Sequence, residues 1–311
     1  MPILLATNLE GAELAEWSRC LRTAMPDETL ITDRAAADAA DIDIGIVANP
    51  PESALKGLPN LRLIQSLWAG VDKLLRDTTI PIDVPLARMV DPAMNDAMAE
   101  TALWAMLGLH RGFFTYARQQ RDLQWLQQPQ LRADEVDVAV LGLGEMGRTV
   151  ARRVAANGYC VTGWSRSPVS LDGIESHHGD AALDTVLAGA GVIINLLPLT
   201  DATRGLFNAQ RFNRMRPGAA LVNLARGAHI VDDDLLKALA DGQISHAVLD
   251  VFNTEPLPTD HPFWTHPRIT VLPHIAAQTD PRSASAIVAQ NVQAMRAGQA
   301  PRHLVDRSRG Y

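Results

Sequence analysis

Short apolar runs recur along the chain, separated by polar turns or by segments with helical spacing. Before residue 95 they predict strands at Ile3–Ala6, Ile42–Ala48, Leu61–Ser66 and Leu86–Met89. A second series predicts strands at Val136–Leu141, Cys160–Trp164, Gly191–Leu196, Ala219–Asn223, Ala247–Asp250 and Ile269–Leu272. Runs this short and this continuously apolar suit strands covered on both faces, as in parallel sheets layered with helices. Two longer helical patterns bracket the second series. Asp96–Arg121 is apolar on nearly every face through Ala97–Leu109, so it is predicted to be buried, with Asn95 or Asp96 as its N-cap. Ser283–Gly298 carries Ile287, Val288, Val292 and Met295 on one side and stops at Gly298. The chain is therefore expected to leave a first domain (1–97), build a second (98–281), and return to the first (282–311). The polar, glutamine-rich stretch Arg118–Glu135 reads as a surface arm, whose Trp125 and Leu126 suit either an oligomer contact or ordinary packing.

The run VAVLGLGEMGRTVARRVAANG sharpens this picture. Gly142, Gly144 and Gly147 form G-x-G-x-x-G between an apolar strand and a helix. The first glycine permits the tight turn, the second lets backbone approach a pyrophosphate, and the third allows close helix–strand packing. The phosphates of a dinucleotide would sit on free N–H groups at the positive end of the helix. Glu145 and Met146, between the glycines, join the expected cofactor contacts. At the tip of the next strand, where an acid ordinarily holds the adenosine ribose, the chain reads Ser165-Arg166-Ser167. A carboxylate there would repel a 2′-phosphate; two hydroxyls and a guanidinium would bind one. The expected cofactor is NADP(H), with NAD(H) as the second choice.

Composition narrows the classes without naming a reaction. The 311 residues are 47% hydrophobic and 20% charged, and the formal net charge is −7. That balance argues against a general nucleic-acid or membrane-surface binder. No window approaches the length of a membrane span and no leader pattern opens the chain, so a cytoplasmic protein is expected. Cys20 and Cys160 have no metal-ligand spacing and are expected to be reduced. No metal site is expected; His177 and His178 read as part of a polar loop, and His229 as structural.

Three later segments each place a polar residue just past a strand end, where α/β sheets collect ligands. They are LVNLARGAHIVDDD with Arg226, LDVFNTEPLP with Glu255, and VLPHIAAQT with His274. Singly, these are a surface charge, a loop acid and a core histidine. Together, behind a dinucleotide turn, they supply what 2-keto acid reduction needs: an anion binder, a proton donor, and a carboxylate that keeps the donor protonated.

With these residues in view, the chain resembles the D-isomer-specific 2-hydroxyacid dehydrogenases, and within them the glyoxylate/hydroxypyruvate reductase A branch. The resemblance spans almost the whole chain and rests on the glycine turn, WSRSP, INLLPLT and the three segments above. It implies two doubly wound domains, a Rossmann-like cofactor domain inserted into a flavodoxin-like substrate domain, with a cleft between them and assembly as a homodimer. It implies that Arg226 holds the substrate carboxylate and keto oxygen, that His274 is the general acid, and that Glu255 favours the protonated imidazole. It assigns Leu197, Pro198 and Ala225 to the cofactor, and Asp250 to the nicotinamide carboxamide, although Asp250 also reads as a strand-end turn residue. In the first domain, SLWAGVD matches a loop whose N–H groups at Ala69, Gly70 and Val71 grip the substrate carboxylate. Trp68 beside it either narrows the pocket toward glyoxylate-sized substrates or packs between the domains. The implied reaction is NADPH-dependent reduction of glyoxylate and hydroxypyruvate. Phosphoglycerate-, lactate- and formate-type dehydrogenases on the same scaffold are the alternatives within the class. A non-catalytic NAD(P)-sensing corepressor is the alternative outside it.

Overall fold

The computed structural model describes residues 1–310; Tyr311 lies outside the described residues. Two compact units divide the chain, Met1–Met94 with Thr279–Tyr311, and Asn95–Gln278. The first holds a five-stranded sheet: β1 (Ile3–Thr7), β2 (Leu30–Ile31), β3 (Ile44–Ala48), β4 (Leu63–Ser66) and β5 (Leu86–Ala87). Its order is β2-β1-β3-β4-β5 with every pair parallel. That order is the flavodoxin-like one, which reverses between β1 and β3. All five residues of β3 are buried, which is why its sequence shows no alternation. Within this unit Trp68 packs edge-on against Trp17, at a centroid distance of 5.9 Å, and Ser66 Oγ accepts from the Trp68 N–H.

The second unit holds seven strands: β6 (Asp137–Leu141), β7 (Cys160–Ser165), β8 (Glu175–His178), β9 (Val192–Asn195), β10 (Ala219–Asn223), β11 (Ile244–Leu249) and β12 (Ile269–Val271). Their order is β12-β11-β10-β9-β6-β7-β8, all parallel. The direction of winding reverses between β6 and β9, so the loops after those two strands diverge and leave a crevice at the sheet edge. Two apolar clusters cover the two faces: Ala139, Leu141, Ile193 and Leu221 point into one, and Val138, Val140, Ile194 and Val222 into the other.

Several expectations change on contact with the structure. His177 and His178 belong to the edge strand β8, not to a loop; a strand of Glu-Ser-His-His carries no apolar pattern to reveal it. β2 was likewise not expected, being two residues long. The single helix expected at Asp96–Arg121 is two, Pro92–His110 and Phe113–Arg121, broken where Gly112 takes φ 72°. Neither Asn95 nor Asp96 caps the first of these; the Asp91 carboxylate accepts from Ala93 N–H at its start. Its Ala99, Ala102, Ala105 and Met106 are fully buried, yet Trp104 is 45% exposed, so the helix is covered on one face only. No helix among the described residues is long and apolar enough to cross a membrane.

The helix Phe113–Arg121 is anchored through His246 of β11. The Phe114 ring stacks on that imidazole at 4.8 Å, and the imidazole is hydrogen-bonded to Thr270 of β12 at 2.9 Å. Burial, together with the charges of Arg118, His266 and Arg268, lowers the His246 pKa to about 4. Between that value and the ordinary one near 6.5, the unfolded chain binds the proton and the native protein does not. Acidification through this window must therefore destabilise the fold, by up to about 1.4 kcal/mol per pH unit. Urea midpoints measured from pH 7 downward are expected to fall more steeply for the wild type than for His246→Gln; parallel curves would contradict this.

Candidate active site

The loop after β6 is shaped by its glycines. Gly142 has φ 96°, and a Cβ there would lie 2.7 Å from the Leu196 carbonyl oxygen. A Cβ on Gly147 would lie 1.7 Å from the Gly142 carbonyl oxygen, so the helix Glu145–Ala155 packs against the turn only because that atom is missing. At Gly144 the opposite holds: nothing lies within 4 Å of an added Cβ. The turn thus presents open backbone at the start of the helix, held from behind by Arg148, whose Nε donates to Leu143 O at 3.0 Å. Glu145 is exposed and Met146 half-buried at the same edge.

Ser165 ends β7, with Arg166 and Ser167 exposed just beyond it. Ser165 Oγ donates to Ser167 O at 2.7 Å, curling the tip, and the tip is tied to β8 by Gly179 N–H on Ser165 O. Leu197 and Pro198 follow β9 across the winding reversal from the glycine turn. Ala225 and Arg226 follow β10, and one guanidinium nitrogen of Arg226 donates to Ala225 O at 2.7 Å.

His274 and Glu255 meet directly. The imidazole Nδ1 lies 2.7 Å from Glu255 Oε2. A carboxylate only accepts, so Nδ1 carries a proton and Nε2 is left at the half-exposed face of the ring. The other carboxylate oxygen of Glu255 accepts from Phe252 N–H at 2.9 Å, which fixes the carboxylate plane. Burial alone would raise the Glu255 pKa. The hydrogen bonds from His274 and Phe252, with the charges of His274 and Arg226, outweigh it and hold the carboxyl below its ordinary value. Glu255 is therefore ionised when His274 is protonated, and the influence of Arg226 on it places all three groups within one electrostatic neighbourhood.

His274 has φ 56°, a left-handed conformation that costs a residue with a Cβ free energy. The two N–H groups that follow it compensate: Ile275 N–H and Ala276 N–H donate to the two oxygens of the Asp250 carboxylate at 2.7 and 3.0 Å. Thr101 adds a bond to Ala276 O at 3.1 Å. Burial raises the Asp250 pKa, and the two N–H donors and the His274 charge offset only part of the rise. This bracing of the His274 loop by Asp250 was not foreseen from the sequence, because nothing in LDVF points to residues 275 and 276. In the first unit, Trp68 through Gly70 are half-buried and Val71 buried, just ahead of a helix at Asp72–Arg76. Among the described residues no group of three or more His, Cys, Asp or Glu side chains is arranged to hold a metal.

Residues 103–276 match the family described as D-isomer specific 2-hydroxyacid dehydrogenase, NAD binding domain. A glyoxylate/hydroxypyruvate reductase A of Serratia proteamaculans is 41% identical over 301 residues, covering 95% of this chain and 96% of the relative. Among solved structures, a D-isomer specific 2-hydroxyacid dehydrogenase from Xanthobacter autotrophicus, in complex with NADPH and MES, superposes with a TM-score of 0.95 at 36% identity. It covers 100% of this chain and 99% of its own. The NADPH-dependent glyoxylate/hydroxypyruvate reductase of Sinorhizobium meliloti, in complex with NADP and sulfate, gives a TM-score of 0.92 at 32% identity, with coverage of 100% and 99%.

Proposed function

We propose, from the premise that this chain belongs to the D-isomer-specific 2-hydroxyacid dehydrogenases, that it reduces glyoxylate and hydroxypyruvate to the corresponding 2-hydroxy acids with NADPH. The observation that carries the reading is the His274–Glu255 pair, 2.7 Å apart, with the Glu255 carboxyl held below its ordinary pKa partly by the charge of Arg226. Similarity to the reductases of Serratia and Sinorhizobium supports the substrate class.

The chain fits the cofactor where its own geometry can be read. Open backbone at Gly144 admits the pyrophosphate, and the tip after β7 offers hydroxyls and a guanidinium with no acid at its centre. The bound nicotinamide supplies the hydride. Arg226 binds the substrate carboxylate and polarises the keto oxygen as negative charge grows on it. His274 gives that oxygen the proton on Nε2, while its Nδ1–H remains on Glu255, so the ring stays oriented as its charge changes. Ala69, Gly70 and Val71 offer their N–H groups to the same carboxylate, with Trp68 shaping the substrate loop. Leu197, Pro198 and Ala225 would line the cofactor, and Asp250 would receive its carboxamide.

The cofactor preference has a direct test. Arg166→Asp removes a cation and installs the acid that a ribose 2′-hydroxyl favours. The ratio of kcat/KM for NADPH to that for NADH is expected to fall by at least about a hundredfold, two charge-assisted bonds being worth roughly 3 kcal/mol. An unchanged ratio would remove Arg166 from the 2′-phosphate site. The same assays with glyoxylate and hydroxypyruvate, beside phosphoglycerate, lactate and formate partners, separate this reading from its alternatives. Cofactor binding with no turnover on any 2-keto acid would instead favour a sensor.

The assembly we propose is a homodimer in the cytoplasm. Leu123 and Trp125 are 94% and 92% exposed, and Phe113, Leu126 and Leu131 are exposed in the same stretch of chain. Several large apolar side chains left exposed along one segment suit a two-fold contact with a second copy. Trp125→Glu with Leu126→Glu is expected to shift sedimentation from dimer to monomer; a wild type that sediments as a monomer would contradict the proposal.

A further inference from the structure

One side chain beside the site is fully buried, polar and unused by the reaction. His229 lies in the short turn after Arg226, and with Asn195 at the end of β9 and Asn223 at the end of β10 it is 0% exposed. The three are hydrogen-bonded through the Asn195 amide. Asn195 Nδ2 donates to Asn223 Oδ1 at 2.9 Å and faces His229 Nδ1 at 2.9 Å. Asn195 Oδ1 accepts from Leu197 N–H at 3.3 Å, which fixes the orientation of its amide. Asn223 Oδ1 also accepts from Ala225 N–H at 3.3 Å, and its Nδ2 donates to Arg226 O at 2.9 Å. His229 Nε2 lies 3.3 Å from Pro198 O.

The tautomer follows from the partners. An amide NH2 only donates, so Nδ1 of His229 is the acceptor; a carbonyl only accepts, so Nε2 carries the proton. Every polar atom of the trio is then engaged. One arm of the network ends on the Leu197–Pro198 segment and the other on the backbone of Ala225 and Arg226. These are the two segments assigned above to cofactor and substrate anion.

We propose that His229 is a positioning residue that sets the Leu197–Pro198 segment and Arg226 in one common register. The inference rests on the function proposed above. Its chemistry divides cleanly between two substitutions. Asn places its Oδ1 where Nδ1 was and keeps the Asn195 arm, but it is too short to reach Pro198. Gln places its Nε2 where the ring Nε2 was and keeps the Pro198 arm, but loses the acceptor for Asn195.

His229→Asn is therefore expected to weaken NADPH binding, followed by fluorescence titration, by about tenfold with little change in the KM for the keto acid. His229→Gln is expected to shift the balance the other way, raising the keto-acid KM about tenfold with a smaller loss of NADPH binding, because the Pro198 arm is kept while the Asn195 amide that holds Leu197 N–H loses one partner. A merely structural histidine would lower the thermal midpoint in both variants without this split, and that outcome would overturn the proposal. Spectra of 15N-histidine-labelled wild-type protein give a readout that needs neither variant. His229 is expected as the Nε2–H tautomer, and an Nδ1–H tautomer would overturn the network. If the wild type turns over no 2-keto acid, the proposed function fails. The tautomer and the response of NADPH binding to His229→Asn still decide the role of His229.

Discussion

His274→Gln is expected to lower kcat for keto-acid reduction by about a thousandfold, within the range that positioned general acids contribute. Gln preserves a hydrogen-bonding side chain of similar reach, so the loop held by Asp250 and Thr101 has no reason to move. What it lacks is a transferable proton. NADPH binding should stay near that of the wild type, because no assigned cofactor contact passes through the imidazole. The expected signature is a fall in kcat with cofactor affinity intact, read by steady-state kinetics beside a binding titration. Turnover near the wild-type rate would take His274 out of the reaction. Glu255→Gln tests the same pair from the other side. It retains an oxygen for Phe252 N–H but removes the charge opposite Nδ1, and so should lower kcat while cofactor affinity is kept.

Arg226→Gln should cost kcat/KM about a hundred- to a thousandfold, comparable with removing a preorganised donor from a developing oxyanion. Both parameters are expected to suffer: KM because the substrate carboxylate loses its countercharge, and kcat because the keto oxygen loses its polarising partner. Arg226→Lys should recover little. An ammonium cannot reproduce the planar fork of a guanidinium, which here also reaches back to Ala225 O at 2.7 Å. The same Arg226 charge helps keep Glu255 ionised. Its removal should therefore be less than additive with His274→Gln, and a double-mutant cycle measures the coupling. Full additivity would mean that the two groups act independently.

Much of this was legible in the residue order. The G-x-G-x-x-G run, Ser165-Arg166-Ser167 at the following strand tip, and the arginine, glutamate and histidine in their strand-end segments are each local patterns. Their chemistry is written within a few neighbouring residues. The buried strands were legible for the same reason, since β3 carries no polar side chain and β10 is apolar up to its terminal Asn223. The polar edge strand β8 was not, and neither was the break at Gly112, because the apolar pattern runs up to it from both sides.

By itself the sequence determined which groups this protein carries and in what local setting: a glycine turn, an acid-free tip, a cation, a carboxylate and an imidazole. Tertiary structure alone decided their mutual engagement. Asp250 braces residues 275 and 276, and Asn195, Asn223 and His229 link the loops after β9 and β10 into one set. A turn is fixed by the backbone preferences of adjacent residues. A hydrogen bond between strand ends depends on which strands are neighbours, and that order comes from how helices pack on the two faces of the sheet.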